Sequence, residues 1–306
     1  MTLPLVSVAI PAYRHAPFIE SCLDSVCAQT YPELELVLID DGSPDDTFAI
    51  ASRFLESRRG RFRRIVLETR ENRGVSANSN ACIEACQGEW VHLLGSDDVL
   101  YPEKITRMQS AIDTWQLPDL ALVHADTGTI DAKGETHISR HKARKAPPGP
   151  DHAAYRWLFH HNLISNPSVA LHRERFLAIG GFDPALPLED IDCWLRLSTR
   201  YAIARIPEVL ACYRKHPGNS LRQRQKMLGA FFCTHAKFIA ENPGLIPEAE
   251  LQQHYRRYMR RFWNRIRGKQ PYRLPQFLVA MLGSYFRTPQ AVDYQRFGKI
   301  LLDATH

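Results

Sequence analysis

The sequence predicts an α/β fold, a mostly parallel sheet flanked by helices, followed by a helical C-terminal extension. Three observations predict it. Short apolar runs rich in β-branched residues alternate with segments of helical spacing from Leu5 to Asp98. Polar clusters recur where those runs end, at Ala12–Tyr13, Asp40–Ser43 and Ser96–Asp98, and an open α/β sheet binds its ligands at the carboxyl ends of its strands. From Leu221 onward the pattern turns helical and basic.

The elements follow in order. "LVSVAIPAY" is a buried first strand, and "PFIESCLDSVCAQTY" sets Phe18, Ile19, Leu23, Val26 and Cys27 at helical spacing. "ELELVLIDDGSPDDT" is a strand ending in acids and a turn, "TFAIASRFLES" a helix, "FRRIVLET" a strand, "GVSANSNACIEACQG" a helix and "EWVHLLGSDD" a fourth strand. "YPEKITRMQSAIDTW" is a helix with Pro102 near its first turn. "PDLALVHADTGTIDAKGE" gives strands and a turn, and "HISRHKARKAPPGPDH" a basic, proline-rich loop. "EDIDCWLRLSTR" is a helix with acids in its first turn, where the helix dipole favours them. "YAIARIPEVLACYRKHPGNS" suggests a hairpin-like strand pair ending at His216.

Composition narrows the function. Residues 1–219 carry 24 Lys/Arg against 28 Asp/Glu, while residues 220–306 carry 15 against 5, so the net charge of +6 belongs to the C-terminal part. That asymmetry suggests a catalytic part at 1–219 and a segment facing an anionic partner at 220–306. No run of 18 or more apolar residues predicts a spanning helix, and the start of the chain looks like a strand and not a signal peptide. Seven dispersed cysteines without a CxxC pair suggest reduced thiols and a cytoplasmic location. Cys82 and Cys86 lie one helical turn apart, a spacing expected of buried small residues.

The chemistry lies at the strand ends. Asp97 and Asp98 form an acid pair at the mouth of the sheet. One acid suffices to cap the following helix; two oxygen ligands in a crevice suit Mg²⁺ or Mn²⁺, which bridge substrate phosphates. A nucleoside-diphosphate substrate follows from that. Asp40 and Asp41 can accept from a ribose hydroxyl or base N–H, form an Asx-turn with Gly42 left-handed, or do both at once. Glu189 and Asp190 open a helix, where a carboxylate takes a proton from an acceptor hydroxyl or simply complements the dipole. His216, beside Arg214 and Lys215, is a candidate for a metal or a diphosphate, with an inert surface histidine as the alternative.

Together and in this order, "VSVAIPAYRHAPFIESCLDSVCAQTYPELELVLIDDGSPDDT", "ENRGVSANSNACIEACQGEWVHLLGSDD", "GGFDPALPLEDIDCWLRL" and "YRKHPGNS" resemble the family 2 glycosyltransferases of GT-A fold, over about residues 5–220. The resemblance implies inverting transfer of a sugar from a nucleotide donor, UDP being the expected nucleotide, with a nucleotide-binding part at about 1–100 and an acceptor part at about 101–219. It implies that Pro11, Ala12 and Tyr13 pack around the base, and that Asp41 binds base or ribose. It assigns Asp97 to the ribose side, Asp98 to the metal, His216 to the metal and diphosphate, and Asp190, beside Glu189, as catalytic base. Three positions depart from the family's pattern: Gly95 stands where many members carry an acid, Ser79 where an arginine is common, and Cys82 where a glycine is usual. Phosphate contacts then fall to Arg73 or another basic residue.

The stripe Leu251, Tyr255, Tyr258, Met259, Phe262 and Ile266, with seven Lys/Arg and no acid in its window, has three readings. It packs on the catalytic part, lies on anionic lipid together with the apolar run at 276–286, or binds nucleic acid, for which no motif is present. A membrane surface at residues 251–286 agrees with a glycan or lipid-linked acceptor in surface-polysaccharide or lipopolysaccharide assembly, on the inner face of the cell membrane. A sugar-nucleotide nucleotidyltransferase is the alternative enzyme, and it usually has a glycine-rich basic loop that "PAYRHAPF" lacks. A nucleotide-sugar-binding pseudoenzyme is the non-catalytic alternative.

Overall fold

The computed structural model describes residues 3–137, 146–161, 164–186, 188–219, 224–269 and 288–302, with side chains left out at 224–225, 261–269 and 301. The first half alternates as expected: β1 (Val6–Ala12), α1 (Ile19–Cys27), β2 (Leu34–Asp40), α2 (Thr47–Glu56), β3 (Arg64–Thr69), α3 (Val75–Ala85) and β4 (Trp90–Leu93). There follow β5 (Val99–Leu100), α4 (Lys104–Trp115), β6 (Leu120–Asp131), β7 (Thr136–His137), β8 (Gly149–Asp151) and α5 (Tyr155–His160). The rest is β9 (Val169–His172), α6 (Arg173–Ala178), α7 (Glu189–Ser198), β10 (Ala202–Lys215), α8 (Arg224–Glu241), α9 (Glu248–Lys269) and α10 (Ala291–Leu302).

The strands form one sheet in the order β3-β2-β1-β4-β9-β6-β10-β5, with β7 on β6 and β8 on β10. Strands β3, β2, β1 and β4 run parallel, β9 is antiparallel between β4 and β6, and β6 and β10 are parallel again. Every residue of β2 is buried, as the apolar run predicts for a strand covered on both faces. This is the mostly parallel α/β sheet that the sequence predicts, with one antiparallel strand, β9, at its centre.

The expected hairpin at 201–216 is instead one bent strand. Pro207 cannot donate to the ladder, and the β6 pairing slips there, from Ile206↔Ala125 to Val209↔Asp126. The strand bends through this irregularity and continues to Lys215. Its far end pairs antiparallel with β5, Ala211 against Leu100 and Cys212 against Val99. That pairing sets Arg214 and His216 beside the acid pair of the β4–β5 turn.

The C-terminal helices pack on the rest of the protein. Phe231 and Phe238 of α8 and Leu251 of α9 join the core that holds Leu158, Phe159 and Trp194. A second cluster unites Phe232, Tyr255, Met259, Tyr294 and Phe297 from α8, α9 and α10. Leu251, Tyr255 and Met259, half of the expected stripe, are thus buried in protein, while Arg256, Arg257 and Arg260 are exposed. The side chains of Phe262 and Ile266, and all of 276–286, lie outside the described residues. Among the described residues no helix is long and apolar enough to cross a membrane.

Candidate active site

One cavity of about 1410 Å³ opens at the carboxyl ends of the strands. Pro11, Ala12, Tyr13, Asp41, Arg73, Asp97, Asp98, Glu189, Asp190 and His216 all line it. The sheet order explains the convergence: β1 lies between β2 and β4, so the ends carrying Tyr13, Asp41 and the acid pair are neighbours.

Asp40 and Asp41 divide their work. Asp40 forms the Asx-turn, its Oδ2 accepting from the Ser43 amide at 2.9 Å, with Gly42 at φ +68°. The Asp41 amide donates to the Ala12 carbonyl at 2.8 Å, and its carboxylate accepts the Arg73 and Gly74 amides, each at 2.9 Å. Asp41 therefore holds the loop that opens α3, and the exposed Arg73 side chain stands on that loop at the cavity rim. Tyr13 is 40% exposed beside it.

The acid pair sits in a β-turn, closed by the Asp98 amide donating to the Gly95 carbonyl at 2.9 Å. Neither acid caps α4, whose N-terminal boundary is Glu103. The placement of the two acids differs from the expectation. Asp98 is buried, and its Oδ1 accepts the Arg214 amide at 2.7 Å. Burial and the charge of Asp97 hold its carboxyl well above the usual range. Asp97, not Asp98, faces the histidines: its Oδ2 accepts from His216 Nε2 at 2.9 Å, and its Oδ1 lies 3.7 Å from His15 Nδ1. With Nδ1 of His216 accepting the Gly218 amide at 3.2 Å, the ring proton is on Nε2.

Gly95 has a steric reason. A Cβ there would lie 3.0 Å from both Asp97 Oδ1 and Asp98 Oδ2, so any side chain at 95 would have to push that pair aside. Arg214 does not reach for a ligand. Its guanidinium donates to the carbonyls of Asp97 and Asp131 and to Ser21 Oγ, and stacks 5.0 Å from the Phe18 ring. It fixes the β4–β5 turn to β10 and α1.

Glu189 and Asp190 begin α7 and line the same cavity, and Asp190 Oδ1 accepts the Ile191 amide at 2.7 Å. Burial, with the charge of Asp190, pushes Glu189 up to about 8. The turn leading to this pair is clamped by Asn80 of α3. Its Nδ2 donates to the Phe182 carbonyl and its Oδ1 accepts the Phe182 amide, both at 2.8 Å.

Three contributors were not among the expected site residues. His15, Ser96 and Asn219 meet at Asp97: His15 Nδ1 shares a 2.7 Å hydrogen bond with Ser96 Oγ, and the Asn219 side chain buttresses the His216 turn. No sequence signal links a lone histidine in "PAYRH" to an acid pair 82 residues later; only the β1–β4 pairing does. As a fit test for a divalent ion, the ligand atoms of His15, Asp97 and His216 all lie within 4.8 Å of one another, a spacing one ion can span. The residues fit such an ion. Holding such an ion through Nε2 would put the His216 ring proton on Nδ1, in place of the hydrogen bond from the Gly218 amide. Cys82 and Cys86 are buried, Cys86 Sγ donates to the Cys82 carbonyl, and all seven cysteines are free.

Residues 7–176, more than half of the chain, match the family described as "Glycosyl transferase family 2". The chain belongs to family 2 of the glycosyltransferases. An uncharacterized protein of Mycobacterium tuberculosis is 30% identical over 69% of this chain and 67% of its own length. Chondroitin synthase of Escherichia coli is 28% identical over 70% of this chain, a match that takes in only 29% of that longer protein. Among solved structures, S. aureus TarS in complex with UDP-GlcNAc superposes with a TM-score of 0.69 at 18% identity, covering 98% of this glycosyltransferase and 91% of that chain. A mannosyltransferase from Pyrobaculum calidifontis in complex with GDP-Man and Mn²⁺ gives 0.61 at 18% identity, covering 100% and 87%. These structures share the fold. The family assignment replaces the nucleotidyltransferase alternative: the protein is a glycosyltransferase.

Proposed function

We propose that this glycosyltransferase is inverting and metal-dependent. It moves a sugar from a nucleotide-diphosphate donor, a UDP-sugar on this reading, to a hydroxyl of a glycan or lipid-linked acceptor. The observation that carries the proposal is the single cavity in which the nucleotide-side residues Tyr13, Asp41 and Arg73, the Asp97–His216 pair and the Asp190 carboxylate converge. The nucleotide sugars bound in the two structural neighbours, and the Mn²⁺ in one of them, support it.

Tyr13 offers an exposed ring to the base, and Arg73 a cation to the diphosphate. Asp97 and His216 would hold Mn²⁺ or Mg²⁺, which when bound offsets the charge on the departing diphosphate. Asp190 takes the acceptor's hydroxyl proton as its oxygen attacks the anomeric carbon from the face opposite the diphosphate. The new C–O bond forms as the bond to the leaving phosphate oxygen breaks, so one displacement inverts the carbon. Glu189, held protonated at neutral pH, adds no second negative charge beside the base.

The relatives that build polymers, chondroitin synthase and the hyaluronan synthase of Pasteurella multocida, favour an acceptor that is a growing glycan of surface polysaccharide or lipopolysaccharide. The exposed arginines of α9 suit an anionic membrane surface, which would place the enzyme in the cytoplasm against the inner face of the membrane. The deciding experiment measures diphosphate-nucleotide release from a panel of nucleotide sugars with Mn²⁺ and acceptor glycans, with product anomers read by NMR. The expected result is an inverted linkage, with Asp190→Asn binding donor normally and transferring none. A retained linkage, or turnover preserved in Asp190→Asn, rejects the mechanism.

A further inference from the structure

We infer that His15 is a third protein ligand to the divalent ion, which gives this enzyme a two-imidazole, one-carboxylate metal site. The inference rests on the metal dependence proposed above and names the ion class that the site selects.

The two imidazoles approach opposite oxygens of one carboxylate. His216 Nε2 stands 2.9 Å from Asp97 Oδ2, and His15 Nδ1 stands 3.7 Å from Asp97 Oδ1. The rings are edge-on, with centroids 5.5 Å apart and planes at 89°, which leaves both nitrogens aimed at the same acid. His15 is also placed independently of Asp97. Its amide donates to Thr47 Oγ1 at 2.8 Å, and Asp45 accepts from both the Thr47 hydroxyl and the Ala16 amide. The segment after β1 is thereby tied to the start of α2. Ser96 Oγ, the other partner of His15 Nδ1, is a hydroxyl that turns aside when the nitrogen takes a metal.

The donor set has a chemical consequence. Mg²⁺ and Ca²⁺ take oxygen ligands and keep their waters, whereas imidazole nitrogen suits first-row transition ions. A carboxylate and one histidine, with the diphosphate supplying the rest, discriminate weakly. A second histidine shifts the balance toward Mn²⁺, Fe²⁺ or Co²⁺. It also supplies enough protein donors for the ion to bind before the nucleotide does.

The test uses the full chain without nucleotide. Pulsed EPR of bound Mn²⁺ should show ¹⁴N couplings from two imidazoles in the native protein and from one in His15→Ala and His15→Gln. Titration calorimetry should show Mn²⁺ affinity falling about tenfold or more in these variants, with Mg²⁺ affinity nearly unchanged. Native protein showing one nitrogen coupling, or none, overturns the inference whatever the variants do. It leaves the metal-dependent reading intact if Asp97→Asn still abolishes Mn²⁺ binding in the presence of UDP. Native protein that binds no Mn²⁺ with or without UDP overturns both.

Discussion

His216 donates from Nε2 to Asp97 Oδ2 at 2.9 Å across 119 residues of chain, while the next acid, Asp98, receives the Arg214 amide. Adjacent carboxylates thus meet alternate residues at the end of β10. Both line the cavity, but Asp98 is tied to the β10 backbone and Asp97 to the histidine side chain.

This division predicts opposite phenotypes. Asp97→Asn should lower Mn²⁺ affinity and turnover by about tenfold or more while melting near the native temperature. Asp98→Ala strands the buried Arg214 amide and should cost about 1–3 kcal/mol in urea unfolding, with Mn²⁺ binding retained. Calorimetry and urea titration on both variants check the pair; exchanged phenotypes reject the division.

Restoring the family's acid at position 95 should harm this chain. Gly95→Asp drives a Cβ against Asp97 Oδ1 and Asp98 Oδ2 and adds a third carboxylate. A loss of about 1–3 kcal/mol is expected from the overpacking, deepening as pH rises through the carboxylate range. Gly95→Ala should show the steric part without the pH dependence, as thermal melts from pH 4 to 8 will measure.

Glu189 gives a stability signature. Its carboxyl is held up at about 8 in the fold, against an ordinary 4.5. Between these values the unfolded chain is ionised there and the native one is not, so stability falls as pH rises and then levels above about 8. Glu189→Gln removes the fall. Its melting temperature should gain on the native protein from pH 5 to pH 8.5; a constant difference would refute the assignment.

The C-terminal packing predicts acid sensitivity of the reverse sign. Burial lowers His235 to about 4 and His254 well below the ordinary 6.5, and the two rings stack 4.8 Å apart beside Phe159. The unfolded chain then binds protons the native one refuses, so stability falls as pH drops below 6.5. His254→Phe fits the same aromatic surroundings and should flatten that fall, with a cost at pH 7 of about 1.5 kcal/mol or less. Urea midpoints at pH 4.5 and 7 decide it.

The parallel half of the sheet was legible because each strand from β1 to β4 is a contiguous apolar run ended by a polar cluster. Tyr13, Asp41 and the acid pair could be brought to one cavity on the sequence alone for the same reason: they lie where those runs stop. What the sequence hid depends on distant pairing. The bend at Pro207 looked like a turn, since a local pattern does not distinguish a chain that reverses from one that slips register. Which acid faces His216 was hidden because β5 and β10 pair across more than a hundred residues. His15 was hidden because a lone histidine after a strand has no periodic partner. The apolar stripe of α9 was visible, but its choice between lipid and protein depends on α8 and α10.

Asn80 bears on how the two substrates meet. One carboxamide grips both backbone polar groups of Phe182, and so bolts α3 to the turn that leads into α7 and Asp190. On the proposed reading, with the donor beside α3 and Asp190 as the base, this side chain helps to set the gap between leaving group and base. Sequences that change the donor pocket through α3 will carry the base along with it, and one that shortens this residue will leave both half-sites intact but out of step.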